Sequence, residues 1–365
     1  MVRWIYWGVF WFALLVFPVQ AGEVPLGLPP VPVPADNPLN PAKVKLGKLL
    51  FEDTRFSADG TVSCATCHDP KTAFVDGLPV SEGIKGLKGT RNAPTVINAA
   101  YYTSQFWDGR RATLEEQALD PFVNPVEHGL KTHDPIVKIC RQDPRYRKLF
   151  AQAFGIKPEE ITIEHVVKAI AAFERTVIAG NSPFDRYFYG GEEDALSPAA
   201  KRGLKLFRTK ARCQDCHRID QKFALFTDNK FHNLGVGMEK ITPRLREIVN
   251  AYRKAKRQGL ELDESVLTNQ ELSELGRFVV TLNLRDIGAF KTPSLRNVAV
   301  TGPYMHDGSI ETLEEVIEFY NQGGHKNPFL ASGIRPLGLT EQEKKDLVEF
   351  LKALTSPEYQ HLLEK

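Results

Sequence analysis

Net charge is nearly absent from this chain: 47 Lys and Arg face 45 Asp and Glu over 365 residues. Without a basic excess there is no electrostatic footprint for nucleic acid. Alternating runs of apolar and polar residues are missing too, so strands do not carry the fold. No apolar stretch is long enough for a comfortable membrane span. The run from Trp4 to Phe17 follows the basic Arg3 and leads into Val19-Gln20-Ala21, a small-residue cleavage pattern. Residues 1–21 therefore read as a secretory signal peptide. The mature chain reads as a bacterial periplasmic protein that is not membrane-embedded after cleavage. Tryptophan is sparse: three of the four lie in that leader, and Trp107 is the one that remains.

Cysteine is also scarce, and its placement is informative. Four of the five form two pentapeptides, Cys64-Ala65-Thr66-Cys67-His68 and Cys213-Gln214-Asp215-Cys216-His217. Zinc-binding CxxC pairs usually lie roughly 15–20 residues apart. Here the pairs are 149 apart, and a His follows each at once. No strand precedes either pair, as a thioredoxin-type redox site requires. CxxCH is the spacing of covalent c-type haem attachment: two thiols add to the vinyl groups, and the next residue supplies an imidazole to the iron. The chain thus reads as a carrier of two covalent haems, on Cys64, Cys67 and His68 and on Cys213, Cys216 and His217. Cys140 is left over, beside Val137 and Ile139 in a helix-like stretch, and reads as a buried, inert thiol.

The two halves repeat each other. Leu46-Gly47-Lys48-Leu49-Leu50-Phe51 precedes the first motif, and Arg202-Gly203-Leu204-Lys205-Leu206-Phe207 precedes the second. Beyond the motifs the match holds at an offset of 199 residues: Pro94 and Asn98 pair with Pro293 and Asn297, Asp108-Gly109 with Asp307-Gly308, and Thr113-Leu114-Glu115-Glu116 with Thr312-Leu313-Glu314-Glu315. Both Thr-Leu-Glu-Glu stretches read as helix starts with a Thr N-cap. Closing helices are expected over 162–179 and 340–354, the latter opening on a capping box. An insertion over roughly 221–280, charged and solvated in its stretch 241–259, accounts for the different motif offset. The expectation is an all-α fold of two cytochrome-c-like domains with long loops, residues 22–190 and 191–365, each carrying one haem.

Each haem has a His on one side, so the other side decides its chemistry. The repeat pairs Pro121 with Tyr320, Gln117 with Val316 and Glu127 with Lys326. Proline offers iron no side-chain donor, whereas tyrosine offers a phenolate. If this segment covers the distal face in both halves, the first haem is open and the second closed. Met305 is an alternative ligand for the second haem, as are Met238 and His232. Glu127 beside an open iron could move a peroxide proton, and burial would raise its pKa to suit; it could equally be a plain loop carboxylate.

Several motifs together resemble the bacterial dihaem cytochrome c peroxidase and MauG family: Arg91-Asn92-Ala93-Pro94-Thr95, Phe106-Trp107-Asp108-Gly109-Arg110, the stretch from Glu116-Gln117 to Asn124-Pro125-Val126-Glu127, Thr292-Pro293-Ser294-Leu295-Arg296-Asn297, and Pro303-Tyr304-Met305-His306-Asp307-Gly308. The resemblance implies a peroxidatic haem on His68 with Gln117 and Glu127 in its distal pocket, Trp107 as a relay between the haems, and a calcium ion bound by Asn92 and oxygens of Thr301 and Pro303. Its substrate would be hydrogen peroxide. Electrons would come from a small cytochrome c, a cupredoxin or an oxidisable side chain of a protein substrate. Where typical peroxidases carry a histidine that blocks the first haem, this chain has Ile84, which implies a haem open without reductive activation. Tyr320, where those enzymes carry Met, resembles MauG and implies a lower potential for the second haem. MauG also uses a surface Trp where this chain has Ala211. The competing expectation is a non-catalytic dihaem electron carrier.

Overall fold

The computed structural model describes residues 24–364 except residue 261, and the proposed signal peptide lies outside them. The chain is built from helices joined by long loops. Each half uses the same three principal helices: Pro41–Phe51, Leu114–Val123 and Ile163–Glu174 in the first, and Pro198–Arg208, Leu313–Gln322 and Glu341–Lys352 in the second. Local chemistry places their starts. Asn40 accepts from the Lys43 N–H and Ser197 from the Ala200 N–H, each with Pro at the next position. Thr113 caps Glu116 and Thr312 caps Glu315, as expected.

The closing helix of the first half ends at Glu174, short of the expected residue 179. A side chain from elsewhere claims the backbone there. Asn98 accepts from the Ala179 N–H at 3.0 Å and donates to its carbonyl at 2.9 Å, which pulls the segment out of helix. Asn297 accepts from the Ser356 N–H in the same way. Both Asn residues adopt positive φ, as do Phe106 and Met305 and, in the proximal loops, Phe74 and Phe226. The repeat is therefore carried by backbone conformation as well as by sequence.

In each half the first and last helices cross at a glycine. A Cβ on Gly47 would lie 1.8 Å from the Ala169 carbonyl oxygen, and one on Gly203 2.0 Å from that of Asp346. Only a missing side chain allows this approach. One apolar core runs from Leu46 to Ala179 and includes Phe51, Phe122 and Phe150; a second runs from Phe184 to Leu354 and includes Phe207, Phe226 and Phe350. Each fully buried Phe contributes about 2–3 kcal/mol of transfer free energy. Cys140 is completely buried in the first core.

The inserted stretch is more than a solvated helix. Helix Leu245–Arg257 exposes its charges but turns Ile248, Val249 and Tyr252 into a third small core with Leu275, Phe278 and Ile287. The structure also adds a feature that the helical expectation lacked, a two-stranded antiparallel ribbon pairing Phe231–Asn233 with Ala289–Lys291. At three residues per strand it is too short to show an alternating pattern in sequence.

The glycine crossings yield a direct test. Gly47→Ala or Gly203→Ala should destabilise the haem-loaded protein by about 1–3 kcal/mol in denaturant unfolding, because backbone must move apart. Gly89→Ala, where a Cβ meets nothing within 4 Å, should change stability by less than about 0.5 kcal/mol.

Candidate functional site

The second CxxCH motif opens onto a cavity of about 440 Å³. The free thiols of Cys213 and Cys216 and the ring of His217 line it, with Tyr320 and Met305 elsewhere on the wall. His217 Nδ1 donates to the Phe226 carbonyl at 2.8 Å. A carbonyl can only accept, so this bond puts the proton on Nδ1 and leaves Nε2 with a free lone pair. Burial holds the imidazole pKa below its ordinary value, which keeps it neutral. The positive φ of Phe226 aims the carbonyl at the ring.

Tyr320 comes from helix Leu313–Gln322. Burial pushes its phenol pKa up, and charge on Cys213 and Cys216, which line the same cavity, adds to the effect. Tyr320 makes no side-chain hydrogen bond among the described residues. An enclosed, mainly apolar space with two free thiols, a neutral oriented imidazole and an unpaired phenol fits a covalent c-type haem. Of the alternative ligands, Met238 is buried in the third core, and His232 lines the cavity with its Nε2 tied to Asp228 at 2.9 Å. Met305 stays on the cavity wall.

The first motif repeats the proximal half of this arrangement. Cys64 and Cys67 are free thiols, and His68 Nδ1 faces the Phe74 carbonyl at 3.3 Å, again from a Phe at positive φ. Burial likewise lowers the His68 pKa. The donor set fits a second covalent haem. What faces the thiols differs, however. Burial and then the charge of Glu127 push the Cys67 thiol up to about 12. Glu127 is thus a carboxyl whose charge reaches the first pair of thiols, where the second pair shares its cavity with Tyr320.

Glu127 follows helix Leu114–Val123, in a turn set by Asn124, whose amide donates to Glu127 Oε1 at 2.5 Å and whose Oδ1 accepts from the Val126 N–H. Burial raises the Glu127 carboxyl to about 7, against the opposing pull of Arg110 and this hydrogen bond. Gln117 and Pro121 lie one turn apart on the same helix. Pro121 has no N–H, so the Gln117 carbonyl lacks its helical donor. The Gln117 side chain is half-buried and makes no hydrogen bond to a described residue. Ile84 is buried; its N–H donates to the Glu127 carbonyl at 3.0 Å, and a Cβ on Gly129 would meet its side chain. An aliphatic group thus occupies the position beside the Glu127 turn.

Trp107 lines the C-terminal cavity, although it belongs to the N-terminal half. Its indole donates to the Asn92 carbonyl at 2.9 Å, and its own carbonyl accepts from the Lys291 N–H at 2.8 Å. Asn92, Thr301 and Pro303 line the same cavity. The Asn92 amide donates to the Leu78 carbonyl. Among the described residues no hydrogen bond reaches Asn92 Oδ1 or the carbonyls of Thr301 and Pro303, a set of bare hard oxygens of the kind calcium takes.

The sequence reading missed three features. The Phe74 and Phe226 carbonyls orient the histidines, but a backbone atom leaves no residue signature. Lys291 lines the cavity, with Nζ donating to the Ser104 carbonyl at 2.7 Å, and burial lowers its pKa to about 7. Arg110 sits near Glu127 and packs 3.3 Å over the Phe106 ring. Arg110 was within a quoted motif, yet nothing in its spacing marks the contact.

Comparison with known proteins shows the family. A family model described as di-haem cytochrome c peroxidase matches residues 41–194. The chain is 41% identical over 351 residues to cytochrome-c peroxidase IdrP1 of Denitromonas iodatirespirans, covering 92% of this chain and 87% of the relative. It is 39% identical to methylamine utilization protein MauG of Methylorubrum extorquens, covering 89% and 81%. A solved MauG-like protein associated with microbial copper homeostasis superposes with a TM-score of 0.74 at 34% identity, covering 92% of this chain and 95% of that one. An identity above one third sustained over nearly the whole length, with the same helical architecture, places this chain in the di-haem cytochrome c peroxidase and MauG family of oxidoreductases.

Proposed function

We propose that this protein reduces hydrogen peroxide in the periplasm at an open haem on His68, and that a second haem on His217 relays electrons or stores an oxidising equivalent. The observation that carries the reading is the unequal pair of groups facing the two attachment sites, Glu127 at the first and Tyr320 at the second. The reaction consumes two electrons and two protons for each peroxide and yields two waters. When bound, the haems supply the iron centre for peroxide and the path for electrons.

The residues of the chain divide the remaining work. Cys64, Cys67 and His68 hold the first haem, and Cys213, Cys216 and His217 the second. Glu127, with its pKa near neutral, takes the first peroxide proton and returns it to the departing oxygen. The Gln117 amide offers a hydrogen bond in the same pocket. Pro121 adds no ligand, which leaves that face open, and Ile84 cannot block it as a histidine would. Tyr320 closes the second haem. Trp107 carries charge between the two. Asn92, Thr301 and Pro303 would hold a calcium ion, which would tie the Trp107 segment to the second half. The electron source is a cytochrome c, a cupredoxin or an oxidisable protein side chain.

A MauG-like oxidase acting on a protein partner is the second reading, favoured by Tyr320. Ala211 counts against a shared route to the partner, since it is buried and offers no oxidisable ring.

Three measurements test the proposal. Resting ferric protein should show one high-spin and one low-spin haem by EPR and react promptly with one equivalent of peroxide; two low-spin signals with no reaction would identify an electron carrier. Tyr320→Met should raise the potential of the second haem, and no shift in a redox titration would remove Tyr320 as ligand. The peroxide reaction should accelerate as pH rises through about 7, where Glu127 ionises. Glu127→Gln should flatten that profile and slow the reaction by roughly 10²- to 10⁴-fold.

A further inference from the structure

One buried acid takes no part in the mechanism above. Glu174 is the last residue of helix Ile163–Glu174 and is 5% exposed. Its Oε2 has no hydrogen-bond partner among the described residues. An unpaired carboxyl in an apolar core costs stability unless it stays protonated.

The repeat shows where Glu174 stands. Gly47 meets the Ala169 carbonyl and the Phe173 Cβ, while Gly203 meets the Asp346 carbonyl and the Phe350 Cβ. Ala169 and Phe173 thus correspond to Asp346 and Phe350, and Glu174 corresponds to Leu351. Leu351 lines the C-terminal cavity. The equivalent wall of the first haem site therefore carries a carboxyl where the second carries an aliphatic side chain. Electrostatics agree: burial, and next the charge of Glu174, raise the pKa of the Cys64 thiol. In the haem-loaded protein that sulfur is a thioether and does not titrate, so the coupling marks proximity.

Resting on the assignment of a haem to His68, we propose that Glu174 is a second proton-holding group of the N-terminal haem site, apart from Glu127. It takes up one proton from solvent when one electron from the donor protein reduces that site, so the buried charge is unchanged. The donor's electron goes to the site, the solvent proton forms the Glu174 O–H, and no other bond forms or breaks. Burial raises the carboxyl to about 8, within reach of such a switch. The charges facing it are Arg175, the next residue along the chain, which favours ionisation, and Glu115 on helix Leu114–Val123, which opposes it. Those two pair with each other at 2.6 Å, and Arg175 acts on Glu174 more strongly than Glu115 does. The Cys64–Cys67 turn presents the Cys64 sulfur, and helix Pro41–Phe51 contributes no charge acting on it.

The test is spectroelectrochemistry of the haem-loaded protein between pH 6 and 10, following the N-terminal haem. The wild type should show a falling potential through a window around pH 8. The slope should approach a tenfold change in the reduction equilibrium per pH unit, or 59 mV for one electron. Glu174→Gln and Glu174→Leu should lose this slope, and Glu174→Asp should keep it. The two slope-losing variants differ in polarity, so a fold defect in one leaves the other to decide. Equal slopes in wild type and both variants, with the open-haem EPR signal intact, would overturn the Glu174 assignment alone. A wild type with no high-spin haem would overturn it together with the reading on which it rests.

Discussion

Two helix crossings hold the frame on which both sites hang. Gly47 lets helix Pro41–Phe51 touch the backbone of helix Ile163–Glu174, and Gly203 does the same for Pro198–Arg208 against Glu341–Lys352. Each first helix carries a Phe in its last turn that enters the core, Phe51 in one and Phe207 in the other. Phe51 packs 6.5 Å from Phe74, and Phe207 packs 6.2 Å from Phe226. Those partners are the residues whose carbonyls face His68 and His217. A positive φ at a bulky residue costs about 1–3 kcal/mol and persists only where packing over-determines it. The aromatic clusters supply that packing, so the crossings connect to the orientation of each imidazole.

The seam between the halves is polar where the cores are apolar. Asp108 is fully buried and meets Arg91 at 2.6 Å and Arg110 at 3.2 Å. Burial opposes its charge, yet Arg110 and Arg91 outweigh that and hold the carboxyl well below the usual range. Arg277, from the inserted segment, donates to the carbonyls of Asp108 and Gly109. Removing one member of such a group strands a buried charge and costs about 3–5 kcal/mol. Through Arg277 the insertion thus clamps the loop that carries Trp107.

Symmetry of frame and asymmetry of lining together define the protein. Matching backbones give two proximal histidines equal support. The walls then diverge: Glu127 and Glu174 lie near the first pair of thiols, whereas Tyr320 and Leu351 face the second. Carboxyls whose pKa values burial brings near neutrality suit proton movement, and a phenol beside an aliphatic wall suits a closed centre.

Much of this was legible in the chain. CxxCH, the Thr N-caps and the 199-residue offset are local signals, set by covalent chemistry and by bonds within one helical turn, so they survive in one dimension. Pairing Pro121 with Tyr320 followed from them. The short ribbon, the early end of the helix at Glu174 and the third core were not legible, because each depends on a distant partner: Asn98 for the helix end, Ala289–Lys291 for the ribbon, and Leu275 and Phe278 for the core. Sequence alone determined the two CxxCH motifs and the order of the helices, since thiol spacing and capping act over a few residues. Tertiary structure alone decided which acids are buried beside the thiols, because a carboxyl's pKa depends on what surrounds it in space.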